Sequence, residues 1–163
     1  MRQKLIILVI LLLPALSWGA DLRGRMGLGM TNQLANDIPA LSVKIQQSKS
    51  FAVGGLLGFN SNESNTLYGA GVKLYRIIFD EPQLNFYFAG LLATENYLDK
   101  NKKVASGYQI DGTMGTEFHF SGIESLGFSL EYGLSVRKAD AEGGTSFQTL
   151  GDNFLKAAVH FYL

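Results

Sequence analysis

The sequence predicts an all-β fold, an eight-stranded antiparallel up-and-down transmembrane β-barrel. Three observations predict it. Large apolar residues alternate with small or polar ones at a period of two in eight segments. The residues between the apolar ones are mostly glycine, alanine and serine, with a few charges. The connectors between the segments alternate between short and long, as in barrels that cross the bacterial outer membrane.

The first 19 residues have the pattern of a secretory signal peptide. A basic start is followed by an unbroken apolar run, 5–13, which is well short of the roughly 20 residues that a spanning helix needs. Ser17 and Gly19 supply the small residues that cleavage requires. We therefore predict a signal peptide over 1–19 and an outer-membrane β-barrel domain over 20–163. An uncleaved anchor is the alternative.

The composition of the exported part narrows the class of protein. Without Arg2 and Lys4 it keeps 12 Lys and Arg against 14 Asp and Glu, and this near balance gives no indication of nucleic-acid binding. Cysteine is absent, so the domain has no disulfide framework. The 19 glycines and 3 prolines suit many strands with tight corners. No later apolar run reaches the length of a membrane helix, so a membrane location would require strands.

The first four predicted strands lie in 21–30, 41–46, 51–60 and 67–75. In each of them the large apolar residues share one parity, and the small or polar residues share the other. The apolar positions are Leu22, Met26, Leu28 and Met30, then Leu41, Val43 and Ile45, then Phe51, Val53, Leu57 and Phe59, then Tyr68, Ala70, Val72 and Leu74. Only Leu56 interrupts this rhythm, and we interpret it as a break of parity.

The last four predicted strands lie in 84–92, 108–120, 126–136 and 154–163. The clearest alternation is that of 126–136, where six apolar residues are separated by glycine, serine and glutamate. The apolar positions are Leu84, Phe86, Phe88 and Leu92, then Tyr108, Ile110, Met114, Phe118 and Phe120, then Leu126, Phe128, Leu130, Tyr132, Leu134 and Val136, then Leu155, Ala157, Val159, Phe161 and Leu163.

The lengths of the connectors predict the topology. The segments 31–40, 95–106 and 137–149 are long, whereas the connectors next to them in the chain are shorter. Outer-membrane barrels have short periplasmic turns and longer external loops, with both chain ends in the periplasm. If Ala20 is periplasmic, every long connector falls on the external side. We therefore predict these three segments to be external loops.

The polar parity predicts which face points inward. Because the bore of an eight-stranded barrel is narrow, small residues and a few paired charges fit there, whereas large apolar residues can face lipid. The predicted interior charge cluster is Arg23, Arg25, Lys44, Lys73, Asp111, Glu117, Glu131 and Lys156. The alternative is a secreted lipocalin-like barrel that binds a small apolar ligand, which would have the opposite orientation.

The final strand resembles the C-terminal insertion signal of bacterial outer-membrane barrels. The matching positions are Lys156, Ala158, Phe161 and Leu163, although Ala158 replaces a glycine and Leu163 replaces the usual phenylalanine. The strand rhythm of the exported part is similar to that of the small barrels of the OmpA transmembrane-domain, OmpX and opacity-protein class. The resemblance of the final strand to the insertion signal implies recognition by the barrel-assembly machinery through that strand.

These observations predict a non-enzymatic outer-membrane protein with a side-chain-plugged interior. Its external loops would serve envelope structure or surface interaction, and its partners would be outer-membrane lipid and lipopolysaccharide. We expect a monomer that does not bind nucleic acid. A narrow, gated pore through the charged bore is an alternative function.

An enzyme is a further alternative. His119 and Ser121, with Glu131 further on, superficially resemble the catalytic residues of outer-membrane lipid A deacylases, in which an imidazole activates a hydroxyl. The surrounding family pattern does not follow, and Ser121 lies in a short connector that we predict to be periplasmic, away from lipid A. His119 and His160 lack the cysteines or clustered carboxylates of a metal site, and no glycine-rich phosphate loop precedes a helix. We therefore predict no catalytic residue, metal or cofactor.

Overall fold

The computed structural model describes residues 22–62, 65–98, 104–139, 144–150 and 155–163. In these residues the backbone forms nine β-strands. They are β1 (Met26–Thr31), β2 (Ala40–Ser48), β3 (Phe51–Ser61), β4 (Thr66–Glu81), β5 (Leu84–Leu98), β6 (Val104–Phe120), β7 (Ile123–Ala139), β8 (Gly144–Thr149) and β9 (Lys156–Tyr162). The predicted signal peptide lies outside the described residues and stays a prediction. The described ranges include no helix with the length and hydropathy needed to span a membrane.

Neighbouring strands are antiparallel, and their hydrogen-bonded order closes into a ring. β1 to β7 pair in sequence order, and β9 closes the ring by pairing with β7 on one side and with β1 on the other. β8 pairs with 134–139 of β7, beyond the stretch 126–131 that pairs with β9. β8 and β9 therefore share the eighth position, and the predicted eight-stranded up-and-down barrel is confirmed.

The register of the strands sets the tilt of the barrel. From Thr31, the paired residues lead through β2 to β6 and reach Ala139 of β7. In the other direction they lead through β9 and reach Ser129. The two paths end ten residues apart on β7, and this offset is the shear, or stagger, of the barrel. Strands in such a barrel are tilted by about 40° and enclose a bore that side chains fill.

The two faces of the wall differ in chemistry. The outward face carries large apolar side chains, and Leu57, Val72 and Leu92 are 60%, 58% and 61% exposed. The inward face carries glycine, serine and charged residues, among them Lys44 and Lys73, which are almost fully buried. This is the predicted orientation, and it is the reverse of the one that a lipocalin-like barrel requires.

The connectors sort to the two ends of the barrel. Two-residue turns at 49–50, 82–83 and 121–122 lie at the end where β1 begins and β9 finishes, which we call the turn end. Gly122 has a φ of 85°, a conformation that glycine adopts at no steric cost, and it completes the turn between β6 and β7. The longer connectors, including 32–39, lie at the opposite end, which we call the loop end.

The prediction that 31–40 is an external loop is wrong in one respect. Its central residues, 32–39, fold into the mouth of the barrel, and Gln33, Leu34 and Ile38 are buried. We call 32–39 the inserted segment. Leu56, the apolar residue that interrupts the rhythm of its strand, faces inward with the polar parity and belongs to the buried cluster around Leu34.

The predicted loops at 95–106 and 137–149 contain more strand than the sequence pattern indicates. β5 extends to Leu98 and β6 begins at Val104. β7 extends to Ala139, and β8 occupies Gly144–Thr149. Polar and apolar residues no longer alternate strictly in these extensions, so the sequence pattern does not indicate them.

Candidate functional site in the barrel interior

The candidate site is a set of charged side chains that point into the barrel from the middle of four strands. Lys44 lies on β2, Lys73 on β4, Glu117 on β6 and Glu131 on β7, and none of them is more than 3% exposed. A buried charge is tolerated only when it is paired and hydrogen-bonded. The structure meets this condition with two ion pairs.

The first ion pair joins β2 to β6. The Lys44 ammonium lies 2.6 Å from Oε2 of Glu117. The Tyr162 hydroxyl of β9 donates a 2.6 Å hydrogen bond to Oε1 of the same carboxylate, and the Ser129 hydroxyl donates a longer one of 3.4 Å. Glu117 therefore ties together four strands that are not all neighbours in the wall.

The second ion pair joins β4 to β7. The Lys73 ammonium lies 2.5 Å from Oε1 and 2.6 Å from Oε2 of Glu131. The Tyr87 hydroxyl donates to Oε1 at 2.8 Å, and the Thr113 hydroxyl donates to Oε2 at 2.9 Å. Both carboxylate oxygens thus have at least two partners, as a buried carboxylate requires.

Tyr75 connects the two ion pairs. Its ring lies close to both cations, with Lys44 Nζ at 4.8 Å and Lys73 Nζ at 4.9 Å from the ring centroid. The ring also packs edge to face against that of Tyr87, at a centroid distance of 5.4 Å. Cations are attracted to the face of an aromatic ring, so Tyr75 offsets part of the repulsion between the two lysines.

The inserted segment joins this network through Gln33. The Gln33 side-chain oxygen accepts a 2.5 Å hydrogen bond from the Lys73 ammonium. Its amide nitrogen donates to Oε2 of Glu131 at 3.2 Å. One side chain therefore contacts both members of the second ion pair from the loop end of the barrel.

The backbone of the inserted segment is bound to the wall by polar side chains. The Ala35 amide donates to Oε1 of Gln109 at 2.9 Å, and the Asn36 amide donates to Oε2 of Glu95 at 2.8 Å. The Asn36 side chain donates to the carbonyls of Tyr68 and Asn96, both at 3.0 Å. These contacts satisfy backbone groups that would otherwise be orphaned inside the barrel.

An apolar socket receives Leu34, one of the two large apolar side chains of the segment, the other being the buried Ile38. Leu34 is fully buried and clusters with Ala40, Leu56, Leu91 and Ala93. Two glycines also line the socket. A Cβ atom at Gly58 would lie 2.8 Å from a Leu34 methyl group, and one at Gly69 would lie 2.7 Å from it. We call these contacts of Leu34 the leucine socket.

The other members of the predicted charge cluster are placed in two ways. Asp111 and Lys156 are buried, and Asp111 accepts a 2.6 Å hydrogen bond from Gln109. Lys156 lies opposite Glu131 in the pairing of β9 with β7. Arg23 and Arg25 require a correction, since Arg23 is exposed and Arg25 is half-buried.

The reason for the correction lies in the backbone before β1. Gly24 has a φ of 74°, so the chain turns there and the strand begins only at Met26. The Arg25 guanidinium donates to the carbonyls of Tyr162 and Leu163, at 2.9 and 3.3 Å. It therefore lies at the rim of the turn end and outside the buried charge cluster.

The residues of the enzyme alternative do not form a relay. His119 Nδ1 bonds with the Glu124 carbonyl at 3.1 Å, and the Ser121 hydroxyl bonds with the side chain of Gln83. The pairing partner of His119 on β7 is Gly127, four positions before Glu131. Glu131 is instead held by Lys73. No imidazole is placed between this serine and this carboxylate, as base catalysis requires.

One histidine–serine contact does occur elsewhere in the interior. The Ser42 hydroxyl and His160 Nε2 are 2.8 Å apart, and both residues are almost fully buried. In the part of the chain that the structure describes, no group of three or more His, Cys, Asp or Glu side chains is arranged to hold a metal ion.

The residues of the C-terminal pattern lie on both faces of β9. Phe161 and Leu163 face outward and are 49% and 61% exposed. Lys156 faces the interior, and Ala158 is half-buried. The two apolar positions therefore project from the outer wall at the turn end. Recognition by an assembly machinery stays a prediction.

Comparison with known proteins addresses the fold. No protein-family model matches the sequence, and no curated protein matches it. Among solved structures, the chain is similar to the N-terminal β-barrel domain of Pseudomonas aeruginosa OprF, with a TM-score of 0.58 and 13% sequence identity. The match covers 86% of this chain and 98% of that one. The expected resemblance to small eight-stranded barrels is confirmed, and this chain shares the fold of the OprF barrel domain.

Proposed function

We propose that this protein is a non-enzymatic barrel of the bacterial outer membrane, with an interior closed by side chains. The observation that carries the proposal is the contrast between the two faces of one wall. Large apolar side chains are exposed all around the outside, whereas the inside holds two buried ion pairs. Exposed apolar side chains are unfavourable in water, and buried charges are unfavourable in an apolar core. A membrane barrel accommodates both, because lipid covers its outside and its inside is polar.

The dimensions of the strands support a membrane location. β6 and β7 have 17 residues each. At about 3.3 Å per residue and a tilt of about 40°, such strands exceed the apolar band of about 25 Å that outer-membrane barrels present to lipid. The predicted signal peptide and C-terminal pattern would direct the chain to that membrane. The fold similarity to the OprF barrel domain agrees with this location.

The proposed partners follow from the two faces and the two ends. Membrane lipid and lipopolysaccharide would cover the outward apolar side chains. The barrel-assembly machinery would bind the last strand during insertion. The loops at the loop end would face the exterior and serve envelope structure or surface interaction, and the barrel would act as a monomer.

Fractionation of cells tests the location. We expect the protein in the outer-membrane fraction, and we expect an unboiled sample to migrate differently from a boiled one on a denaturing gel, since closed barrels resist detergent at room temperature. Recovery in the soluble fraction, without any effect of boiling on mobility, would contradict the proposal.

Variants of the last strand test the assembly signal. We expect Phe161→Ala combined with Leu163→Ala to lower the amount of folded barrel in the membrane. The matched control is Leu155→Ala, which removes an outward apolar side chain on the same parity but outside the pattern. Equal amounts of folded barrel for all variants would show that the pattern has no role in assembly.

Electrical recording separates a closed interior from a narrow pore. We expect purified barrel in a planar lipid bilayer to show no regular unit conductance, because the two ion pairs and Tyr75 occupy the middle of the bore. Reproducible single-channel steps would favour the pore instead and would leave the membrane location intact.

A further inference from the structure

The leucine socket shows that the wall is shaped for the inserted segment. Gly58 and Gly69 are direct pairing partners on β3 and β4, and both face inward. Any side chain at either position would meet Leu34, since the Cβ distances to its methyl group are 2.8 and 2.7 Å. Glycine weakens a strand interior and usually marks a close approach of another group. Here the approaching group is Leu34.

The contacts of the segment are of a kind that can be exchanged for water. Besides the buried Leu34 and Ile38 side chains, they are mainly hydrogen bonds of Gln33, Ala35 and Asn36 with groups of the wall. The segment belongs to no strand, and the wall strands pair with one another independently of it. Its release would therefore leave the ring of strands closed. Local opening of such an element costs less free energy than unfolding of the strands in the wall.

We propose that residues 32–39 form a lid that seats in the mouth of the barrel and controls the entry of water and small solutes into the outer half of the interior. Leu34 in its socket is the apolar anchor, and Asn36 is the polar anchor. Gln33 transmits the state of the lid to the interior, because it contacts both Lys73 and Glu131. When the lid leaves, that ion pair loses two hydrogen bonds and faces the open mouth.

This inference deepens the proposed function by naming the element that closes the interior, and it rests on that proposal only for the statement that the loop end faces the exterior. A test in detergent solution is independent of location. The chain has no cysteine, so a single introduced cysteine reports on its own surroundings. Leu91→Cys is suitable, because Leu91 is 2% exposed and belongs to the leucine socket.

The experiment measures the rate at which a small charged thiol reagent modifies Leu91→Cys in the folded barrel. Gly58→Val with Gly69→Val fills the socket and displaces the lid, while valine favours the strand conformation. The matched control is Gly112→Val, since Gly112 is a strand glycine with nothing within 4 Å of its Cβ position. We expect displacement of the lid to raise the rate by at least about tenfold, because the population of the open state limits the reaction. The control should not change it.

A second variant acts on the lid alone and covers the case in which the glycine variants do not fold. Leu34→Asp places a charge in the socket and disfavours the seated state without altering any strand. Its control is Asp37→Asn at the exposed tip of the same segment. Equal modification rates for Leu34→Asp and for its control would overturn the proposal, as would rapid modification with the natural lid. If boiling did not change the gel mobility, that result would contradict the proposed membrane barrel. It is distinct from the modification rates, which test the lid.

Discussion

The ammonium of Lys73 contacts both carboxylate oxygens of Glu131 across the interior, at 2.5 and 2.6 Å. The two residues lie on β4 and β7, which are not neighbours in the wall, so the ion pair spans the bore. It fixes the distance between opposite sides of the barrel at mid-height. The stability of the protein should therefore depend on this pair more than on any surface charge.

Removal of one partner of this pair should be costly. We expect Lys73→Met to lower the free energy of unfolding by about 3–5 kcal/mol, because Glu131 would remain buried without its countercharge. Urea titration in phospholipid vesicles, followed by circular dichroism, measures the change. The control is Lys49→Met in an exposed turn, with an expected change below about 0.5 kcal/mol.

The double variant Lys73→Met with Glu131→Gln should recover part of that loss, because residues in direct contact are energetically coupled. A loss equal to the sum of those of the two single variants would contradict a direct interaction of the two charges.

The hydrogen bond from Tyr162 to Glu117 gives a second prediction. We expect Tyr162→Phe to cost about 1.5–3 kcal/mol, since the 2.6 Å bond to a buried carboxylate is lost. Tyr132→Phe is the matched control, because the Tyr132 side chain is 47% exposed on the outward face. The same urea titration compares them. Similar losses for Tyr162→Phe and Tyr132→Phe would contradict a stabilising role of the hydrogen bond from Tyr162 to Glu117.

Close packing of β1 against β9 gives a third prediction. A Cβ atom at Gly29 would lie 1.7 Å from the backbone carbonyl oxygen of Val159, so the strands would have to separate. We expect Gly29→Ala to cost about 1–3 kcal/mol through this overpacking. It should also decrease the fraction of compact barrel on an unboiled gel. Gly112→Ala should leave that fraction unchanged, since its Cβ meets open space.

The direction of the apolar face gives a fourth prediction. We expect Val72→Arg, in the middle of β4 on the outward face, to cost about 2–4 kcal/mol in a bilayer, because the charge would lie in hydrocarbon. Phe59→Arg, also outward but near the loop end of β3, should cost about 0–1 kcal/mol. The folding free energies of both variants in vesicles with bilayers of increasing thickness measure these costs. Equal costs would mean that the two positions have the same depth.

The sequence was sufficient to predict the barrel because alternation and connector length are local properties. The outward side chains of β7 and the inward placement of Lys44, Lys73, Glu117 and Glu131 follow from parity alone. Parity cannot identify which charges pair, since that depends on the stagger of the ring. Lys156 lies opposite Glu131 in the wall, yet the ion pair of Glu131 is with Lys73 from across the bore.

The inserted segment could not be predicted from its own residues, because a stretch with four polar residues, one leucine and one isoleucine also suits an exposed loop. Its partners lie far along the chain, and Gln109 and Glu95 are both more than 50 positions away from it. The informative signals were Leu56 on the inward parity and Gly58 close to it. Together they indicate an apolar region inside the bore, which another part of the chain can fill.

Among the described residues, the ring closes through five residue pairs between β1 and β9 and six between β7 and β9, whereas fifteen pairs join β5 to β6. We expect denaturant to open the cylinder first beside β9, leaving a curved sheet with free outermost strands. We also expect the first and last strands to pair after the rest of the wall, because their contacts are the farthest apart along the chain.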